Sequence, residues 1–229
     1  TLAVMQVGAC DGAWEKTNDP VQALLQDGRV QAVVFEPVPP LFRELDSRLE
    51  LLPEAKKRLV AVNAAICLEA QDSVPFFIVS GQLSIDFPKS EHWAQRELGS
   101  FDKKHLKRHA IPNKYIESIP VKCLTPLQVF ELPGSPIGHQ PSVVDALIVD
   151  AEGLDGDLVK SFLAIDTFRP ALVIFECKHL KRPKLEKVLS TLEALRYVHW
   201  RDKDQLVAVL AAPRARSRSL GPRVENEYV

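Results

Sequence analysis

Two glycines follow an apolar segment near the start of the chain, where they could form a ligand-binding turn. Residues Leu2–Val7 are apolar and partly β-branched, which predicts a buried strand, and residues 8–12 read Gly-Ala-Cys-Asp-Gly. Gly8 and Gly12 lack a Cβ and tolerate positive φ, so the backbone there can approach a ligand closely. An ordinary turn between a strand and a helix would also use glycine, and the loop alone does not separate these interpretations.

A carboxylate follows the next predicted strand. Asp19 and Pro20 are typical of a helix start and Gly28 of a helix end, and a second apolar strand, Val30–Phe35, then leads into Glu36. A β-α-β unit with glycines after its first strand and an acid after its second is typical of a Rossmann-type nucleotide site. In such a site the acid accepts hydrogen bonds from ribose hydroxyls.

The glycine spacing favours one class of cofactor over another. A dinucleotide site uses G-x-G-x-x-G, whereas Cys10 occupies the place of the middle glycine here. S-adenosylmethionine carries no phosphate and needs only close backbone approach and nearby carboxylates. The loop with Asp11 therefore suits S-adenosylmethionine better than a pyrophosphate cofactor.

Composition limits the classes of partner. The chain has 229 residues, 46% of them hydrophobic, which is enough for one sizeable core, and its formal net charge is −1. This balance gives no overall basic field, so neither nucleic acid nor an anionic membrane is expected as a partner. No apolar run is long enough to span a bilayer, and we expect a soluble protein. Residues upstream of Thr1, with any targeting peptide, could have been trimmed.

The cysteines suggest a reducing compartment. Cys10, Cys67, Cys123 and Cys177 are far apart in sequence, with no C-x-x-C pair and no zinc-ligand spacing. We interpret them as reduced thiols of an intracellular, cytoplasmic protein.

Small residues follow the third predicted strand. Residues 40–52 carry leucines at helical spacing, which predicts a core helix, and the strand Leu59–Val62 then leads into Asn63, Ala64 and Ala65. Residues at the carboxyl end of a strand face the ligand crevice of a nucleotide-binding sheet, so the two alanines could admit an adenine ring. Tight packing between strand and loop explains them equally well.

We call residues 82–120 the insertion. This segment is too long and too polar for an ordinary connection, which favours a lid over the substrate. Ser100 or Asp102 could cap a short helix within this segment. His105 and His109 could share a face of that helix, but the glutamate of H-E-x-x-H is missing, so no metal is expected. A solvated, charged helix accounts for most of the lysines.

Acidic residues also follow the later strands. The predicted strand 143–149 leads into Asp150 and Glu152, and the strand 170–175 leads into Glu176, with His179 close behind. Helices are predicted over residues 154–163 and 183–195, and an antiparallel pair of strands ends the fold. Polar residues thus follow four parallel strands, and a parallel sheet gathers such ends in one crevice.

Five segments resemble the FkbM family of S-adenosylmethionine-dependent methyltransferases. They are Val-Gly-Ala-Cys-Asp-Gly at 7–12, Phe-Glu-Pro at 35–37, Asn-Ala-Ala-Ile at 63–66, Val-Asp-Ala-Glu-Gly at 149–153 and Ile-Phe-Glu at 174–176. The resemblance runs from Val4 to Leu210. It implies an α/β, Rossmann-like class I methyltransferase fold, with a mostly parallel seven-stranded sheet, the last strand antiparallel and helices on both faces.

The resemblance also implies a reaction and roles for residues. It implies O-methylation of a hydroxyl on a sugar, glycan or related small metabolite. The 8–12 loop would hold the methionine end of the cofactor, Glu36 the ribose, the alanines the adenine rim, and Asp150 the crevice of methyl transfer. Gln6 stands where such enzymes commonly carry an acid, so the cofactor's amino group would depend on Asp11, Asp150 or water.

The predicted site follows from these assignments. Cofactor contacts are expected from Gln6, Gly8, Ala9, Cys10, Asp11, Gly12, Glu36, Pro37, Asn63, Ala64, Ala65 and Asp150. Catalytic roles are expected for Asp150, Glu152 and His179, with His179 as the proton acceptor because its ordinary pKa suits that task. Acceptor contacts are expected from Ser100, Phe101, His105, His109 and Glu176.

One methyltransferase domain is expected over residues 1–212, followed by a tail at 213–229 with little apolar content. Two other functions stay open. A non-catalytic Rossmann-like binding module would fit Gln6 and the basic insertion, and a nicotinamide-dependent oxidoreductase would fit the sheet but not the glycines. The sequence indicates no oligomeric state.

Overall fold

The computed structural model describes residues 1–12, 28–51, 53–91, 94 and 97–211. Eleven strands are found in these residues: β1 (Leu2–Val7), β2 (Val30–Phe35), β3 (Leu59–Val62), β4 (Ala65–Ile66), β5 (Gln71–Val79), β6 (Gly99–Ser100), β7 (Ile116–Leu124), β8 (Ala146–Val149), β9 (Leu172–Glu176), β10 (Tyr197–Asp202) and β11 (Gln205–Leu210). The α-helices of the same residues are α1 (Pro39–Glu50), α2 (Pro53–Lys56), α3 (Gln82–Asp86), α4 (Lys103–Arg108), α5 (Asp155–Leu163) and α6 (Arg182–Ala194). Short 3-10 helices cover Asn113–Tyr115, Gln128–Glu131 and Pro141–Val143.

Seven strands form the main sheet, in the order β10-β11-β9-β8-β1-β2-β3. The pairs from β3 to β9 are parallel, whereas β11 runs antiparallel to both β9 and β10. In chain order, the seventh strand of this sheet is β11, and it is the antiparallel one. The fold predicted from the sequence is confirmed.

Apolar layers cover both faces of this sheet, which explains why its strands read as nearly continuous apolar runs. On one face, Met5 and Phe35 pack with Phe162 of α5 and Val188 of α6. On the other face, Val4 and Ala32 of the strands pack with Leu45 and Leu49 of α1. Because neighbouring residues of a strand point to opposite faces, β1 contributes to both layers.

The chain order of the strands reverses at β1. The chain runs from β1 outward through β2 to β3, then returns to pair β8 with the other side of β1. The loops after β1, β2 and β8 therefore diverge at the carboxyl edge of the sheet and leave a crevice between them.

A second sheet, in the order β4-β7-β5-β6, pairs strands of the predicted 82–120 segment with β4 and β5, which precede it. The predicted helix cap is present at Asp102, whose carboxylate accepts a hydrogen bond from Lys104 N (2.9 Å) at the start of α4. The strand β7 begins at Ile116, inside the segment 82–120 that was predicted to form a lid. Residues 82–120 are thus built partly of regular structure, because β6 and β7 find pairing partners in β5.

The cysteine interpretation is wrong for one pair. Cys67 and Cys123 form a disulfide bond, with their Cα atoms 5.5 Å apart. Cys67 follows β4, and Cys123 lies on the neighbouring strand β7, so strand pairing joins residues that are 56 positions apart. Sequence spacing gave no indication of this contact. Since disulfides are typical of oxidising compartments, the basis for the cytoplasmic expectation is lost.

Other predicted elements agree closely with the structure. The helices predicted over 154–163 and 183–195 are α5 and α6, displaced by one residue at some ends, and the terminal antiparallel pair is β10 and β11. The strand predicted over 143–149 begins later, because residues 141–143 form a 3-10 helix. The helix predicted between Asp19 and Gly28 and the tail at 213–229 lie outside the described residues. Within the part of the chain that is described, no helix is both long and apolar enough to cross a bilayer.

We expect the disulfide to contribute to stability. Replacing both Cys67 and Cys123 by serine should lower the free energy of unfolding by about 2–4 kcal/mol, because a cross-link restricts the unfolded chain. Chemical denaturation with and without dithiothreitol measures this effect. The reductant should destabilise the wild-type protein and leave the double variant unchanged, and insensitivity of the wild-type protein would contradict the bond.

Candidate functional site

A cavity of ≈ 340 Å³ lies at the carboxyl edge of the main sheet. Its walls come from the loops after β1, β2, β3 and β8, together with residues 97–101 of the insertion. The volume falls in the range of small-molecule sites. The cavity therefore occupies the crevice that the strand order creates.

The loop after β1 passes very close to the end of β8. Gly8 has φ +82°, and a Cβ at this position would lie 1.9 Å from the carbonyl oxygen of Asp150. The amides of Gly8 and Ala9 both donate to Phe35 O at 3.0 Å, which holds the loop against β2. Gly12 also has positive φ (66°), so the loop needs glycine at both of its ends.

Glu36 is hydrogen-bonded to this loop. Its side chain is 4% exposed, and its two carboxylate oxygens accept hydrogen bonds from Cys10 N and Val38 N, each at 2.8 Å. Burial raises the pKa of Glu36 to about 7, although the two backbone hydrogen bonds partly oppose the rise. Glu36 thus links the loop after β1 to the turn after β2 and also lines the cavity.

Cys10 is not a candidate nucleophile. Burial, followed by the negative charges of Glu36 and Asp11, raises the pKa of its thiol far above the ordinary value. Because the thiolate is the reactive form, this residue acts as a neutral part of the cavity wall.

Asp155 holds the turn after β8. Its carboxylate is 1% exposed and accepts hydrogen bonds from Ala151 N (2.7 Å) and Gly153 N (3.0 Å). Burial raises the pKa of Asp155 to about 6. Glu152, within the turn, has φ 47°, and both Asp150 and Glu152 line the cavity.

Residues 97–101 close one side of the cavity. Phe101 lines it, and its ring packs edge-on against Phe76 with centroids 4.8 Å apart. Ser100 does not line the cavity, but its hydroxyl donates to Glu152 O at 3.0 Å. The second sheet is therefore joined directly to the turn after β8.

Three histidines meet behind Glu152. The rings of His105, His109 and His179 lie with their centroids 4.8–5.0 Å apart, and Nε2 of His105 lies 2.7 Å from Oε2 of Glu152. Burial, followed by the charge of His105, lowers the pKa of both His109 and His179. We call His105, His109, His179 and Glu152 the histidine cluster. Only Glu152 of these four lines the cavity.

Most of the residues predicted to contact the cofactor line the cavity. They are Gln6, Gly8, Ala9, Cys10, Asp11, Gly12, Glu36, Pro37, Ala64, Ala65 and Asp150. Asn63 is outside this set, and its side-chain amide instead donates to the carbonyl oxygens of Glu36 (2.8 Å) and Pro37 (3.2 Å). It thus ties the end of β3 to the turn after β2.

Only some of the residues predicted to act in catalysis or to contact the acceptor line the cavity. Asp150, Glu152 and Phe101 line the cavity, whereas His179, Ser100, His105, His109 and Glu176 do not. Glu176 lies behind the wall, with Oε2 4.0 Å from Nε2 of His179. Burial, then the charges of Glu152 and Asp155, raises the pKa of Glu176 to about 7.

Sequence reasoning missed several residues of the site. Asp155 falls inside the helix predicted over residues 154–163, and that pattern assigns it no role in the site. Other missed residues line the cavity from elements distant in sequence: Leu41, Ile66, Phe76, Glu97 and Leu98. Ile66 belongs to the segment 63–66 that carries part of the family resemblance; for the other four we find no local signal, since only the tertiary fold brings them there.

The sheet order and the position of the cavity define a Rossmann-like α/β fold with a ligand crevice at its switch point. No protein-family model and no curated protein matches the chain. Solved structures with some similarity include an S-adenosylmethionine-dependent O-methyltransferase of Thermotoga maritima (10% identity, TM-score 0.41, covering 93% of this chain and 60% of that one).

Two further similar structures carry related descriptions. One is a putative methyltransferase of Thermoplasma acidophilum (10% identity, TM-score 0.42, covering 91% of this chain and 68% of that one). The other is precorrin-6y C5,15-methyltransferase of Geobacter metallireducens (9% identity, TM-score 0.40, 92% and 81% covered).

Gly8 should not tolerate a side chain. Gly8→Ala should lower the free energy of unfolding by about 2–5 kcal/mol, because the new Cβ meets the backbone of Asp150 and positive φ adds strain. Thermal or urea unfolding measures the change. Gly81→Ala is the matched control, since nothing lies within 4 Å of a Cβ built there. Equal effects of the two substitutions would contradict the close approach.

Glu36 should make stability depend on pH. Its pKa rises from 4.5 to about 7 on folding, so the folded state binds more protons in this window and raising the pH favours unfolding. Glu36→Gln removes this dependence. The variant should therefore gain about 1–3 kcal/mol relative to wild type as the pH rises from about 4.5 to about 7.

The comparison of the two proteins isolates Glu36 from other titrating groups. His109 and His179, whose pKa values fall on folding, change stability in the opposite direction but are present in both proteins. Urea unfolding across the pH range gives the difference, with the exposed Glu69→Gln as control. A difference between wild type and Glu36→Gln that does not vary with pH would refute the assignment.

Proposed function

We propose that the protein is an S-adenosylmethionine-dependent methyltransferase that acts on an oxygen nucleophile. The observation that carries this proposal is the junction of the 8–12 loop with Glu36. This junction combines a glycine loop without the dinucleotide spacing and a buried carboxylate at the tip of the neighbouring strand. The five segments that resemble the FkbM family all lie at this edge of the sheet and support the same function.

The cofactor would extend along the carboxyl edge of the sheet. Its methionine end would lie on the 8–12 loop, its ribose at Glu36 and its adenine against Ala64 and Ala65, which are small and buried. Ribose hydroxyls would donate to the carboxylate of Glu36 and lower its raised pKa towards the ordinary value. Asp150, beside Gly8, would lie near the sulfonium and favour its positive charge.

Methyl transfer requires little beyond positioning and the removal of a proton. A lone pair of the acceptor oxygen forms the new C–O bond. The bond between sulfur and the methyl carbon breaks at the same time, and the electrons of that broken bond go to sulfur. The enzyme must hold the acceptor about 3 Å from the methyl group. The hydroxyl proton would pass to Glu152, which lines the cavity, with His179 in the cluster behind it.

The acceptor would enter beside residues 97–101. Phe101 offers an apolar ring at this wall, and the lysines of the segment 82–120 suit an anionic or glycan-like acceptor. A hydroxyl of a sugar, glycan or related small metabolite fits this arrangement. We infer that the segment acts as the substrate lid of a single domain over residues 1–212.

Cofactor binding tests the proposal directly. S-adenosylhomocysteine should bind the wild-type protein in a calorimetric titration, and NAD should not. Glu36→Ala should weaken binding of S-adenosylhomocysteine by about 1.5–3 kcal/mol, because ribose loses its charged acceptor. Glu69→Ala, on the exposed surface, is the matched control and should bind as wild type does.

The outcomes separate the three candidate functions. Binding of NAD in place of S-adenosylhomocysteine would favour an oxidoreductase, and binding of neither would favour a non-catalytic module. Unchanged affinity of Glu36→Ala, with the fold intact by circular dichroism, would refute the ribose assignment.

A further inference from the structure

The histidine cluster is assembled from three separate parts of the chain. His105 lies on α4, and His109 is the residue at its C-terminal end. Glu152 lies in the turn after β8, and His179 lies between β9 and α6. We propose that these four side chains bind one divalent transition-metal ion, of the zinc type, beside the cavity.

The geometry fits a metal site that closes around its ion. Each residue offers one ligand atom, and these atoms all lie within 4.8 Å of one another. Zinc bonds of about 2.0–2.1 Å in tetrahedral geometry place ligand atoms about 3.3 Å apart. His105 and Glu152 are already closer than this, at 2.7 Å. His109, Glu152 and His179 are only partly buried, so small side-chain rotations can bring the remaining atoms together.

The ligand set selects the kind of ion. Imidazole nitrogen suits zinc, copper, iron and nickel, whereas magnesium and calcium prefer a shell of oxygen atoms. Three imidazoles and one carboxylate therefore favour a transition metal. The two free cysteines of the described chain, Cys10 and Cys177, are not part of the cluster.

The arrangement also gives the cluster a rigid base. His105 is 1% exposed, and Ser100 holds the backbone of Glu152 through a hydrogen bond of 3.0 Å to its carbonyl oxygen. Asp155 fixes the same turn from the other side. His105 and the backbone of Glu152 are thus held in place, whereas the partly buried side chains of Glu152, His109 and His179 can rotate to complete the set.

The position of the ion has a consequence that rests on the proposed function. Glu152 is shared between the cluster and the cavity wall, so a bound ion would fix the side chain of Glu152 at that wall. In that case Glu152 and His179 are both metal ligands, and neither is a free proton acceptor. Metal binding itself does not depend on the methyltransferase assignment.

The test measures metal binding without any assay of activity. The 229-residue chain, purified without a polyhistidine tag and treated with a chelator, is titrated with zinc chloride by calorimetry. Cobalt(II) reports coordination through its visible absorption. We expect one zinc ion per chain, no comparable binding of magnesium, and a rise in melting temperature with zinc.

Variants locate the ion. His109→Ala and His179→Ala should each weaken zinc binding by at least about tenfold, since loss of a ligand should cost no less than loss of an outer-shell partner. Glu152→Gln keeps a side chain of the same size and should also weaken binding. His199→Ala is the matched control, because His199 lies on β10 outside the cluster and contacts Glu193.

Each result supports or overturns the site. One ion per chain in wild type and His199→Ala, with weakened binding in the folded cluster variants, supports it. Absence of stoichiometric zinc binding in wild type overturns it, as does wild-type affinity in a folded His109→Ala/His179→Ala double variant. Titration of the same samples with S-adenosylhomocysteine tests the proposed function separately, since its cofactor residues lie outside the three histidines.

Discussion

The candidate site depends on one buried carboxylate. Glu36 accepts two backbone hydrogen bonds, from Cys10 and Val38, and so connects the ends of two neighbouring strands. Without this bridge the 8–12 loop would lose the side-chain contact that joins it to the turn after β2. The elevated pKa of Glu36 shows that its burial disfavours the charged form. A ligand that brings hydrogen-bond donors to this carboxylate removes part of that disadvantage, which couples loop shape to ligand binding.

The close approach of Gly8 to Asp150 sets the position of the turn after β8 relative to the 8–12 loop. Parallel pairing of β1 with β8 brings the loop after β1 across the end of β8, and only a residue without a Cβ fits there. Asp155 then turns the chain back so that Glu152 faces both the cavity and the histidines. Local turn geometry and strand order thus together determine where Asp150 and Glu152 lie at the cavity.

The sequence predicted those features that local pattern determines. Apolar runs located the strands of the main sheet, and glycines and acids after them located the crevice, because a parallel sheet collects its strand ends at one edge. The Cys67–Cys123 bond and the convergence of His105 and His109 on His179 depend on tertiary pairing. Spacing along the chain carries no information about such contacts. This is why the cysteine interpretation failed, and why His105, His109 and His179 were assigned to the site without any expected contact between His179 and the other two.

The disulfide has a further consequence for chain connectivity. Cys67 and Cys123 close a covalent ring of backbone, and this ring contains Phe101 of the cavity wall together with His105 and His109. A single cleavage by a protease inside the ring leaves both fragments joined through sulfur. The nicked molecule would keep its apparent mass under non-reducing conditions and separate into two pieces only when a cut and reduction occur together.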